Sequence, residues 1–383
     1  MKTANAKRVI DRRTLNRTTL ARQWLLRRAE RPALDAVRHL VALQAQATAS
    51  PYIGLWTRLA TFARDDLTRA LYDRAVVRSS MLRGTQHIAA ADDFLWLRPM
   101  VRPALDRGRQ AAYGRQTAGI DLDELAALTR SLLTGRTLTR ARLGALLAER
   151  WPGRDGGALG WTAQAVVPVI HEPPSGTWGR GGATPFTLAE EWIGAPMDDD
   201  RPVAELIRRY LAAFGPASVR DFQIWSGLRR MDAAFARLRP ALTVYADEAG
   251  QELFDLPDLP PADPAEPAPV RFLPEYDDLI VAYADRTRLM SAEDRKRVCV
   301  GSLVKATVLV DGRVRGVWKV SREGATAVLT IEEFALIAGR DAVAEEGARL
   351  LRFCEPGADR HVVRYAGDHQ WAGRASAGGS RVA

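Results

Sequence analysis

Helical periodicity followed by two short β-type runs around a tight turn occurs three times along this chain, and no other feature narrows its fold as much. In the first pass the spacing of apolar residues predicts helices over residues 14–28, from Pro32 toward Leu40, and from Asp65-Asp66 onward. They lead into "AVVRSSMLRGTQHIAA", where Arg83-Gly84 splits β-branched residues into a hairpin. In the second, residues 121–134, 139–150 and 159–170 read as helices, and "PPSGTWGRGGATPFTLAEEW" offers two short strands around Gly179-Arg180-Gly181-Gly182. In the third, a helix over 203–214 stops at Gly215-Pro216 and Ser218 caps the next one. A further helix follows over 229–239, and "LTVYADEAGQELFDL" turns at Ala249-Gly250. Helices closed by a hairpin are the order of a winged helix. The expected fold class is therefore α+β, mainly helical, with three tandem winged-helix units over 1–120, 121–200 and 201–257. The repeat is one of order, not of sequence identity.

A proline-rich stretch, "PDLPPADPAEPAP", predicts an extended linker over 258–269. Residues 270–360 then read as a small β-meander plus a helix over 332–354, with Asp311-Gly312 as the favoured pair for a tight type I′ turn. The tail, 361–383, is expected to be flexible.

Composition limits the function classes. The net charge of +9 favours a polyanionic partner, nucleic acid or a membrane surface, set against a plain solubilising face. The density is highest at the start, where Lys2, Lys7, Arg8, Arg12, Arg13, Arg17, Arg22, Arg27 and Arg28 face one acid, Asp11. No apolar run approaches the ~18 residues a membrane span needs, and the basic N-terminus has no apolar region behind it, so neither a span nor a secretory signal is expected. Two cysteines without CxxC spacing, Cys299 and Cys354, fit a reducing cytoplasm. There is no phosphate-binding GxxxxGK[ST] loop, GxGxxG or HExxH, and the five histidines are scattered, so no metal and no cofactor is expected. An enzyme acting on DNA and a non-catalytic winged-helix transcription regulator both remain, because this fold alone does not imply catalysis.

"LVALQAQATASPYIGLW", residues 40–56, places Gln44 and Gln46 one alanine apart where the pattern asks for core. On a helix the two side chains would diverge, whereas in an extended segment positions i and i+2 share a side. Pro51 biases Ser50 away from helix. The pair thus stands either where a helix opens into a cleft or where two amides satisfy backbone groups freed at a helix end.

"LQAQATASPYIGLWTRL" resembles the signature of the AlkZ-like DNA glycosylases, and so do "MLRGTQHIAAADDFLWL", "PPSGTWGRGG", "FGPASVRDFQIWSGL" and "FLPEYDDLIVAYADRTRLM". The likeness runs from about Thr14 to Cys354. In that family a Gln-hydrophobic-Gln element is catalytic, so the resemblance implies catalytic roles for Gln44 and Gln46. A related branch has an acid at the second position; Gln46 aligns this chain with the branch that unhooks bulky adducts and interstrand crosslinks. The resemblance further implies a concave basic channel and a monofunctional glycosylase without a lysine Schiff base. Its partner would be double-stranded DNA carrying N7-alkylpurine adducts or crosslinks, met by a cytoplasmic, nucleoid-associated monomer in base excision repair or antibiotic self-resistance. Candidate DNA contacts are Arg83, His87, Arg180, Arg229 and Arg230. His87 reads more readily as a structural histidine than as a catalytic or minor-groove one, Arg180 equally as an exposed hairpin tip, and Arg229 and Arg230 equally as a solvated face. Trp178, Trp192 and Trp225 read as core, and Asp277-Asp278 as a turn or salt bridges.

Overall fold

The computed structural model describes residues 8–366. Two compact units emerge. One runs through Glu266 and takes in Tyr276–Asp285; the other has Pro267–Glu275 and the described residues from Arg286.

The first unit contains three three-stranded sheets. In the first sheet Leu43–Gln44 pairs antiparallel with Gln86–Ala90, which pairs with Val76–Ser80. In the second, Leu138–Thr139 pairs with Pro185–Leu188, which pairs with Val169–His171. In the third, Thr243–Ala246 pairs with Glu252–Asp255, Arg8–Val9 adds in parallel, and Ala217 bridges to Phe254. The helices interleave identically each time. Ala33–His39 precedes the first short strand, and Ser50–Arg58 and Arg64–Tyr72 follow it. Leu122–Leu133, Arg140–Arg150 and Gly156–Val166 stand likewise around the second, and Val203–Phe214, Val219–Ser226 and Asp232–Leu238 around the Ala217 bridge.

Local sequence explains most of these elements. Val203–Phe214 buries Leu206, Ile207, Tyr210, Leu211 and Phe214 on one face, the helical period made physical. Ser218 and Asp221 form a reciprocal capping box: the Ser218 hydroxyl accepts from the Asp221 N–H at 3.1 Å and the Asp221 carboxylate from the Ser218 N–H at 2.9 Å. Trp225 is fully buried and packs against Tyr210 at 4.9 Å between ring centroids, whereas Trp178 and Trp192 lie at the edge under Arg64 and Arg74. The hairpin turn at Gly250 forms where expected, with the residue at φ +80°.

Several boundaries differ from the sequence reading. The first helix is Arg12–Arg22, not 14–28: Asp11 caps it, and Trp24 takes φ 57° and stacks on His39 at 4.4 Å. The helix drawn over 159–170 ends at Val166, because Pro168 holds Val167 extended, and Val169–His171 becomes a strand. That strand, rather than one beside the glycines at 179–182, is the partner of Pro185–Leu188. Ser50 is helical after all; Pro51 sits in the first turn, where its missing N–H costs nothing.

Two of the N-terminal arginines, Arg17 and Arg22, are buried and serve the fold. Arg17 is 1% exposed and donates to the Glu266 carbonyl at 2.7 Å. Arg22 grips Asp255 with both guanidinium nitrogens and reaches the Leu259 carbonyl at 2.7 Å. Arg13 donates to the Pro264 carbonyl at 2.8 Å, and Arg27 pairs with Glu266 at 3.0 Å. The proline-rich stretch through Glu266 is thus fastened along the first helix. Lys2 and Lys7 lie outside the described residues.

The second unit carries a five-stranded sheet in the order Arg271–Leu273, Thr307–Val310, Arg313–Glu323, Thr326–Glu333, Arg360–Ala366. Asp311 and Gly312 turn with φ 46° and 74°, as the type I′ reading requires. Its helix is Arg340–Cys354, shorter than expected, because Glu332 and Glu333 extend the strand opposite Val317 and Gly316. The helix crosses between the last two strands, which pair in parallel. Residues 361–366 of the tail expected to be flexible are instead strand, held by parallel pairing with Ala327–Glu332; the rest, from Gly367 on, lies outside the described residues.

Candidate active site

Gln44 ends the short strand Leu43–Gln44, opposite His87, and the Ala45 N–H makes one more bond to the Gln86 carbonyl at 2.7 Å. The chain then leaves the sheet and crosses residues 45–49 before helix begins at Ser50. Because the backbone is extended here, both amides fall on one side and the Gln44 Nε2 donates to the Gln46 Oε1. Gln44 is 7% exposed, while Gln46 is exposed. The pair therefore converges, and only its second member opens to solvent.

A charged cluster lies behind it. Arg83 Nη2 donates to the Gln44 Oε1 at 2.7 Å, approaches the Asp278 Oδ1 at 3.2 Å and the His87 Nε2 at 3.2 Å, while Nη1 donates to the Trp225 carbonyl at 2.7 Å. The other Asp278 oxygen accepts from the Gln44 backbone N–H at 3.3 Å. Burial raises the Asp278 carboxyl to about 6 despite the opposing Arg83 charge. His87 is fully buried, which removes it as a direct DNA contact. Burial first, then Arg83, lowers its imidazole to about 3, so the ring is neutral. With Nδ1 donating to the Thr85 carbonyl at 2.9 Å, the Nε2 lone pair faces the Arg83 donors. From the opposite side Arg78, 5% exposed, donates to the Ala45 carbonyl at 3.1 Å and to Gln86. Burial lowers the Arg78 guanidinium to about 10, so it stays charged at neutral pH. The carbonyl between the two glutamines is therefore held by a buried cation.

The structure brings Gln44, Gln46, Arg83 and His87 into one cluster. The other sequence candidates stand outside it: Arg180 is exposed in the loop before Pro185–Leu188, and Arg229 and Arg230 are exposed after Val219–Ser226. Arg229 lines an open pocket of about 590 Å³ that it shares with Arg83, Arg107 and Arg220 and that has no acidic lining residue. Sequence reasoning missed Arg78 and gave Asp278 no site role. Asp277-Asp278 was legible as salt bridges, and it is: Asp277 pairs with Arg58 through two 2.8 Å bonds, Asp278 with Arg83. Among the described residues no group of three or more His, Cys, Asp or Glu is placed to hold a metal ion, and no helix is long and apolar enough to cross a membrane.

The profile of the family "DNA glycosylase AlkZ-like" matches residues 37–353. An interstrand DNA cross-link repair glycosylase of Streptomyces sahachiroi is 26% identical over 331 residues, 79% of this chain and 85% of that protein. The solved structure of Streptomyces sahachiroi DNA glycosylase AlkZ superposes with a TM-score of 0.75 at 24% identity, covering 93% of this chain and 100% of that one, which shows a shared fold.

Proposed function

The chain belongs to the AlkZ-like DNA glycosylase family, and on that premise we propose that it is a monofunctional DNA glycosylase. In this reading it hydrolyses the N-glycosidic bond of N7-alkylated purines in duplex DNA, bulky guanine adducts and interstrand crosslinks included. The observation that carries it is the joined pair of amides, Gln44 to Gln46, with Gln46 open to solvent. A purine alkylated at N7 is already cationic and leaves without a general acid. What remains is an oxocarbenium-like sugar and a water to be held in line, and preorganised amide dipoles suit both. Crosslinks enter because the Streptomyces sahachiroi relative bears that description. We also infer that the three helix and sheet groups are winged-helix units, since each runs helix, strand or bridge, two helices, two strands. The exposed Arg180, Arg229 and Arg230 are then phosphate contacts, which fix register without reading sequence.

Gln44→Ala and Gln46→Ala should each slow single-turnover excision of an N7-alkylguanine by about 10²–10³-fold, the usual cost of one preorganised donor at a charged transition state. The double variant should do little worse than the poorer single one, because the pair acts as a unit. DNA affinity should hold. Full excision by a folded double variant would end this reading. Tight binding to one operator sequence without base release would replace it with a regulator.

A further inference from the structure

We propose that Arg83 is a positioning residue that fixes which way round both glutamine amides stand. The proposal deepens the reading of Gln44 and Gln46 as catalytic and rests on it. An amide presents an oxygen at one end and an NH₂ at the other, and packing alone barely distinguishes them. A guanidinium has donors only. With Arg83 Nη2 2.7 Å from the Gln44 Oε1, the Gln44 oxygen must face Arg83 and its NH₂ must face Gln46. The Gln46 oxygen then accepts from Gln44. Gln46 is left presenting its own N–H donors and one unshared lone pair on the exposed side. One donor-only anchor thus orders two amides in series. The open end can hold an acceptor oxygen while accepting a water hydrogen. Without Arg83 the pair can reverse.

Arg83 is itself held by three further groups. The Trp225 carbonyl, the Asp278 carboxylate and the neutral His87 ring engage its guanidinium. Its backbone has φ 57°, a conformation non-glycine residues keep only where the surroundings impose it. Gly227, at φ +78°, backs directly onto it; a Cβ there would lie 3.0 Å from the Arg83 Cα. These restraints suit a group whose job is aim. The charged groups around Asp278 are Arg83, Asp277 and Arg58, with His87 neutral at Arg83.

The test uses the full-length protein, an N7-alkylguanine duplex, and single-turnover rate measured beside duplex Kd. Arg83→Met should slow excision on the order of 10²-fold with Kd unchanged, because misplacing a reacting group costs that much. Arg83→Lys, keeping one donor, should recover part of the rate. Arg83→Met added to Gln44→Ala should cost nothing further. An Arg83→Met protein with full rate, or with a weakened Kd and an unchanged rate, overturns the inference and makes Arg83 a phosphate contact. Full excision by Gln44→Ala would instead sink the catalytic reading beneath it. Should Arg83→Met fail to fold, pH decides. Asp278 is ionised above about 6, so the wild-type rate should be flat near neutrality and fall below pH 6 as the grip on Arg83 weakens. Asp278→Asn should be slow at every pH. Full excision per folded molecule by Asp278→Asn overturns the inference as well.

Discussion

The second and third groups of the first unit pass from strand to helix without a gap. Thr139 ends its strand and caps the next helix through the Arg142 N–H, at 3.2 Å; Ser218 follows the bridging Ala217 and caps through Asp221. The first group inserts residues 45–49 between Gln44 and the helix at Ser50, and Ala49 offers that helix no side-chain cap. Two of the three junctions are closed by a hydroxyl, and the third is opened to make room for a polar pair. An open junction needs other restraint, and it comes from far along the chain: Arg78 on the Ala45 carbonyl, Arg83 on the Gln44 amide, Asp278 on the Gln44 N–H. Local capping stabilises one helix. Long-range charged bonds fix a loop in one conformation, which is what a site with preorganised dipoles requires.

The sharpest way to break this contrast is Arg78→Met. Stranding the buried Ala45 carbonyl should cost about 1–3 kcal/mol, and excision should fall by more than the lost folded fraction explains. An unchanged rate per folded molecule, read from melting and single-turnover curves together, would show that the loop holds itself. Next comes Asp278. Its carboxyl, raised from 3.8 to about 6, binds a proton in the native state between those values while the unfolded chain does not. Stability should therefore fall as pH rises through that window, by about 3 kcal/mol. Denaturation of wild type against Asp278→Asn across pH 3.5–7, values set by the window, isolates this one group; parallel curves would place the charge elsewhere. At the closed junctions Ser218→Ala or Thr139→Ala should cost about 0.5–2 kcal/mol and leave excision per folded molecule intact. A large loss of rate there would mean the three junctions are not functionally distinct. The smallest effects belong to the exposed arginines. Arg180→Ala and Arg229→Ala should each lower the slope of log affinity against log salt by about 1, without altering the rate at saturating enzyme.

Much of the fold was legible because its causes are local. The Val203–Phe214 helix, the Ser218 cap and the Asp311-Gly312 turn each follow from a few adjacent residues, and each appears where expected. The misplaced boundaries are those where a local signal competed with tertiary pairing. Glu332 and Glu333 read as helix but found strand partners, and residues 23–28 kept helical spacing while Gln23 was drawn to the Ala213 carbonyl and Arg58. The arginine-rich start looked like a nucleic-acid surface, yet Arg17 and Arg22 are buried, because charge density in a sequence does not say which charges find acids and carbonyls inside.

For the candidate site, the sequence alone determined that two amides stand two residues apart beside a proline, and that they would converge if the backbone were extended. That much depends only on the alternation of side chains along a strand. The tertiary structure decided that the backbone is extended, by pairing Gln44 with His87. It also decided what stands behind the amides. Asp278 lies 234 positions from Gln44 and Arg83 lies 39. No local pattern encodes such pairings, because a buried charge is stabilised only by whichever partner the packed fold delivers to it.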